Sequence, residues 1–420
     1  MKTAAPAAVR RHAALDRWLL SATRGIRVLT TLAWPAAVEQ RLIEAYRQGR
    51  YVLPQIRQSR PDLGEARRQL AEITADADAE HPLGVYLIRN AESWSTAASM
   101  LEAAGSAALV PHSIALYGRP GDRIQGSTQT NLDAARHFVA IADELGADAT
   151  FDADAVPISA ADLASELRQA VDAVFGAGAV RVELDPGLAA KAAAGATRIR
   201  LRDGAAFTDY DRHQLLEHEA FVHTLTALNG RTQPHLASLA QTSPRVTATQ
   251  EGLAVFAELM SGSIDIQRLK RISLRILAID MALDGADFVE VFRFFHDQGQ
   301  GVADSFHSAQ RVFRGVPVTG GAAFTKDNVY LSGLLAVHAY FLRALQERRV
   351  ELLRRLFAGK LALSDVTELE SAFEAGWIAP PRYLPSWMRR ARGLAGRLAF
   401  SLFASHIHLD RVEPEQLSRA

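Results

Sequence analysis

Residues 209–230 read DYDRHQLLEHEAFVHTLTALNG, and this stretch decides what the chain is. Thr208 and Asp209 form a good N-cap, and the apolar spacing beyond predicts one helix running to Asn229-Gly230. Within it lie His218, Glu219 and His223. A metal hydrolase needs two neutral imidazoles on one face and a carboxylate that can take a proton from metal-bound water. The common zinc spacing puts its histidines at i and i+4, about 40° apart around an α-helix, whereas i and i+5 falls about 140° apart. His218 and His223 therefore share an ion only if the helix is distorted between them, as a single π-bulge would do. Without that distortion they are ordinary helix residues, one buried and one exposed.

Downstream, TQEGLAVFAEL (249–259) reads as a helix with Thr249 as N-cap and Glu251 in its first turn. Glu258, seven residues on, falls on the same face as Glu251. A Glu 28 residues after His223 on a following helix suits the third ligand of a two-His, one-Glu zinc site; it also suits the positive end of the helix dipole. Upstream, TRIRLRDGAAFT (197–208) and VRVELD (180–185) alternate as strands do. Ser159 and Asp162 resemble a capping box opening a helix with Leu163, Leu167, Val171 and Val174 as its buried stripe.

Farther out the pattern divides into three regions. Residues 1–83 look helical, with amphipathic runs at 36–49 and 63–74, and His81-Pro82-Leu83-Gly84 interrupts them. Residues 84–208 are mixed, with the short apolar runs GVYLI (84–88) and HSIALYG (112–118) expected as strands. Residues 209–420 are almost wholly helical. The basic, amphipathic 383–403 reads as a docked terminal helix, with contact to a membrane surface as the alternative.

Composition narrows the classes. With 47 Lys+Arg against 47 Asp+Glu, the 420 residues carry no net charge, which argues against a non-specific nucleic-acid binder. The absence of Cys removes disulfides, thiolate nucleophiles and Cys-type zinc sites, so any metal falls to His and carboxylate. No phosphate-loop motif and no stretch as apolar as a membrane span is present. No secretion signal is read at the start, and the cytoplasm is the expected compartment.

HEAFVH followed by LNG (228–230), TQEGLA (249–254), RVFRG (311–315) and FTKDNVYLSG (324–333) together resemble the family named for its QEGLA motif. Bacterial members are labelled modulators of flavohaemoglobin expression. Animal relatives include the microtubule-associated tyrosine carboxypeptidase, a zinc enzyme that removes the C-terminal tyrosine of α-tubulin. The resemblance implies an α+β, mostly helical, gluzincin-like metallopeptidase with a small sheet beside the metal helix. It implies Zn2+ held by His218, His223 and Glu251, with Glu219 as general base and a peptide or protein C-terminus as substrate. Family members often carry Ile-Gly-Thr where this chain has Ala220, Phe221 and Val222, which keeps the spacing but adds bulk.

Four further residues are candidates for substrate contact. Arg311 and Arg314, three apart on a helix, offer forks for a substrate carboxylate or the developing oxyanion. Lys326 and Tyr330 share a face, and the resemblance implies substrate contact for them. The strand 197–205 precedes the metal helix as the substrate-pairing edge strand does in gluzincins, and Arg198, Arg200 and Arg202 alternate onto one face, either a solvated strand face or a basic lining for an acidic peptide. His406 and His408 are given no metal role. The rival to the enzyme is a non-catalytic regulatory or binding protein with a vestigial metal site.

Overall fold

The computed structural model of the chain describes residues 5–146, 157–186, 188, 191–389 and 391–404, and His406 and His408 lie outside them. The described chain is mostly helical, and one continuous cluster of buried apolar side chains runs from Val9 to Leu398. The sheet content is small and lies between the N-terminal helices and the helical C-terminal half.

The two apolar runs expected as strands are helical. GVYLI belongs to the helix Pro82–Glu102 and HSIALYG to Leu109–Tyr117. His81-Pro82 starts the first of these rather than interrupting a pattern: the His81 ring accepts the Leu83 N–H, and Pro82 sits where its missing N–H has no role. A Cβ on Gly84 would lie 1.9 Å from the Asp78 carbonyl oxygen, so only glycine lets the helix begin against that turn. Buried Leu83, Tyr86, Leu87, Asn90, Ala91, Trp94, Ala98 and Leu101 then recur at three- and four-residue spacing.

Among the described residues, five strands form two small sheets. β1 (Ile158–Ser159) pairs antiparallel with β5 (Ala206–Phe207). β2 (Arg181–Asp185), β3 (Ala192–Gly195) and β4 (Arg198–Arg202) make the other, in the order β2-β4-β3, with β2 parallel and β3 antiparallel to β4. The helix Ala160–Phe175 packs on it, opened by Ser159, whose Oγ accepts the Asp162 N–H. β4 is thus the central strand, not an edge: its Ile199 and Leu201 are buried, and both its edges are paired. The edge position beside the helix of His218 and His223 belongs to β3, where the Gly195 carbonyl accepts a hydrogen bond from Thr224 Oγ1 at 3.0 Å. Nor do the β4 arginines form a free basic face, since Arg198 pairs with Glu183 at 3.8 Å and Arg200 with Asp185 at 3.0 Å.

In the helical half, Thr247–Ser261 and Val329–Gln346 touch backbone to backbone. A Cβ on Gly333 would lie 2.2 Å from the Ala248 carbonyl oxygen, and one on Gly252 would lie 2.1 Å from the Gly333 carbonyl carbon. Backbone cannot yield as a flexible side chain does, so Gly333→Ala is expected to lower the unfolding free energy by about 2 kcal/mol or more. A denaturant melt checks this, and a midpoint equal to wild type would show that the helices can separate freely.

The C-terminal segment docks, as read from its amphipathic pattern: Leu394 and Leu398 of Ala391–Ala404 are buried, and Arg397 donates to the Met260 carbonyl. Phe400 is exposed. Among the described residues, no helix is long and apolar enough to cross a membrane.

Candidate metal centre

The helix carrying His218 and His223 starts at Thr208, the N-cap read from the sequence, and the structure adds a capping box with Asp211. The distortion inside it is larger than a single bulge. Asp209–Gln214 is α-helical, the ten residues Leu215–Thr224 are π-helical, and Leu225–Arg231 returns to α. In π geometry i bonds to i+5, so residues five apart come onto one face. His218 and His223 stand with ring centroids 4.9 Å apart and planes at 83°. The bulky Phe221 does not disturb this, because it turns toward Phe175, ring to ring at 6.2 Å, while Ala220 and Val222 are buried.

Glu251 comes from the helix Thr247–Ser261, which starts two residues before Thr249, on the heels of a short 3-10 turn at Pro244–Val246. Thr249 is therefore inside the helix and not its cap, and its hydroxyl accepts the Leu363 N–H. Glu251 Oε2 lies 3.6 Å from His218 Nε2 and 3.6 Å from His223 Nε2, and one donor atom from each residue falls within 4.8 Å of the others. Tetrahedral zinc with bonds of 2.0–2.1 Å wants donors about 3.3 Å apart. Two imidazoles and a carboxylate fit that ion after a small contraction.

A carboxylate stands behind the first histidine. His218 Nδ1 donates to Glu258 Oε1 at 2.7 Å, which leaves Nε2 to face Glu251. Arg268 in turn donates to Glu258 through Nε at 3.1 Å and Nη2 at 3.0 Å. Such an outer partner fixes the ring and its tautomer. The spacing of seven placed Glu258 on the correct face, but its role was not read from the sequence, and nothing local signals Arg268.

Lys326 Nζ sits 3.3 Å from Glu251 Oε1. Tyr330 lies between two cations, with the Arg275 guanidinium 5.3 Å and Lys326 Nζ 5.5 Å from its ring centre. Arg311 is held by Asp327, through Nη2 at 2.8 Å and through Nε. Arg314 differs from it: its Nε is buried with no hydrogen-bond partner. A groove of about 690 Å³ adjoins the centre, with Glu258, Arg268, Arg275 and Arg311 in its wall. Glu219 is half-buried beside His218. So the eight residues singled out from sequence fall into two connected groups, one around Glu251 and one around Asp327, joined by the sequence neighbours Lys326 and Asp327.

The charges set the proton inventory. Burial pushes the Glu251 carboxyl up, but Lys326 and the two imidazoles more than offset it and hold it well below the ordinary range. For His218, burial disfavours the cation, yet Glu251 and Glu258 outweigh burial and raise it to about 10. At pH 7 the metal-free centre therefore holds His218 as imidazolium, and a metal must displace the Nε2 proton. Uptake of an ion at pH 7 is expected to release about one proton, read by calorimetry in two buffers of different ionisation heat. Binding without proton release would remove His218 from the ligand set.

These elements define a helical α+β protein with a candidate mononuclear metal centre of the two-His, one-Glu type. Compared with protein-family models, residues 46–406 match the family described as microtubule-associated tyrosine carboxypeptidase, and the chain belongs to that family. No curated protein matches the chain closely.

Proposed function

We propose that the protein is a zinc-dependent carboxypeptidase acting at the C-terminus of a peptide or protein, in the cytoplasm. The observation that carries this reading is the convergence of His218, His223 and Glu251 on one point, beside Glu219. Zinc bound there would supply a Lewis acid that brings the pKa of a water near 7 and polarises the scissile carbonyl. Glu219 takes the proton of the attacking water and gives it to the departing amine, so the peptide C–N bond breaks as the new C–O bond forms.

Arg314, with an unspent buried donor, is the assigned holder of the substrate's terminal carboxylate. Arg311, committed to Asp327, lines the adjoining groove, and Lys326 and Tyr330 line the approach to Glu251. A regulatory protein with a vestigial site is the weaker reading, because a complete set of His218, His223, Glu251 and Glu219, with Glu258 behind His218, favours turnover.

The test is bound zinc per chain. About one per chain in wild type, and little in Glu251→Ala, supports the ligand set. No zinc on the wild type would end the hydrolase reading in favour of the regulatory one.

A further inference from the structure

Lys360 is the one lysine among the fully buried charged residues of the described chain, 6 % exposed. Its loop is seated by main-chain contacts. Asn229 donates to the Phe357 carbonyl at 2.8 Å and Gln233 to that of Ala358 at 2.8 Å, while the Lys360 N–H donates to the Leu239 carbonyl at 2.7 Å. Gly359 fits against Leu239, where a Cβ would come within 2.8 Å of that side chain. The seating delivers Lys360 Nζ to Gln250 Oε1 at 3.2 Å, an oxygen that also accepts from Thr226 Oγ1 at 3.0 Å. Gln250 directly precedes Glu251.

Lysine is almost never fully buried without a paired charge. Here the acceptor is a neutral amide oxygen, and among the described residues no carboxylate makes an ion pair with Nζ. The negative charges that favour the ammonium are Glu251 and Glu219, a ligand and the base of the proposed centre. Gln250 alone gives no reason for a charge, since a neutral donor would serve it equally. We propose that Lys360 is a positioning residue of this centre: its buried positive charge offsets those of Glu251 and Glu219 and restrains the centre's hold on a cation. The proposal rests on the zinc reading above.

Burial brings this lysine down to about 8, so at pH 7 it still carries its proton. The experiment is zinc affinity at pH 7, by chelator competition, on full-length wild type, Lys360→Met and Lys360→Arg, with a thermal melt of each. Removing a positive charge near a dication tightens its binding, so Lys360→Met is expected to bind zinc about tenfold more tightly. Lys360→Arg keeps the charge and is expected to bind as wild type does. If Lys360 were only a packing residue, Lys360→Met would bind zinc no more tightly or more weakly, and either result overturns the proposal. An Arg variant that folds like wild type but binds like the Met variant also overturns it. Absence of zinc on the wild type removes both this proposal and the zinc reading, whereas a zinc-loaded wild type with an unchanged Met variant removes this proposal alone.

Discussion

Glu219→Gln is expected to keep zinc and stability while peptide hydrolysis falls by about 10²–10⁴-fold, the usual share of a general base. The amide has nearly the shape of the carboxylate but cannot take a proton from water. Among the described residues no ion pair depends on Glu219, so the change should leave the fold alone. The three candidate donors, His218, His223 and Glu251, and Glu258 behind them are untouched by it. Release of the C-terminal residue from a peptide library, compared at equal zinc content, reads the result. Hydrolysis at the wild-type rate would take Glu219 out of the mechanism.

Glu258→Ala is expected to be the most damaging change to stability at the centre. Glu258 is wholly buried, and three donors converge on it: His218 Nδ1 and two nitrogens of Arg268. Burial raises its carboxyl, but Arg268 and His218 win and hold it below the ordinary range, so it is ionised in the fold. Truncation strands the Arg268 charge in the interior, a loss of about 3–5 kcal/mol. It also frees the His218 ring, for which outer partners elsewhere are worth about 10–100-fold in metal affinity. Chemical denaturation and zinc competition measure the two effects separately. Wild-type stability would mean that water reaches Arg268 freely.

What the sequence made legible was local. The Ser159 and Thr208 caps, the alternation of β2 and β4 and the docked terminal helix all follow from neighbours a few residues apart. The pairing of His218 with His223 was also readable, as a demand for distorted helix, though not the ten-residue length of the distortion. GVYLI and HSIALYG misled because short apolar runs buried on several sides have no period that separates strand from helix. β3 went unread because Ala192–Gly195 is Ala-rich, a poor strand composition, and is a strand only through its partner. With β3 hidden in this way, β4 reads from sequence as an edge. Arg268 and Lys360 reach the centre across the fold, 10 residues after Glu258 in one case and 110 after Gln250 in the other, and no local pattern reports such contacts.

The motif residues divide between chemistry and fit. In QEGLA, Gln250 receives Thr226 and Lys360, Glu251 faces the histidines, and Gly252 lets a second helix touch the first. Asn229 of LNG joins two loops through its amide, and Gly230 sits where a Cβ would meet the Leu239 carbonyl oxygen at 2.1 Å.

The π-helical turn has an angular consequence. One residue added to an α-helix rotates everything beyond it by about 100°. Deleting Phe221 would leave HEAVH, the shorter zinc spacing, and an ordinary α-helix would then keep both imidazoles on one side. But the helix is held at both ends, by the pairing of Phe207, just before it, with Ile158 and by Asn229 against Phe357 and Tyr383. The shortened chain could satisfy only one of these at a time. The π-helical stretch thus works as a fixed phase offset, setting the bearing of one end of the helix against the other while its histidines stay aligned.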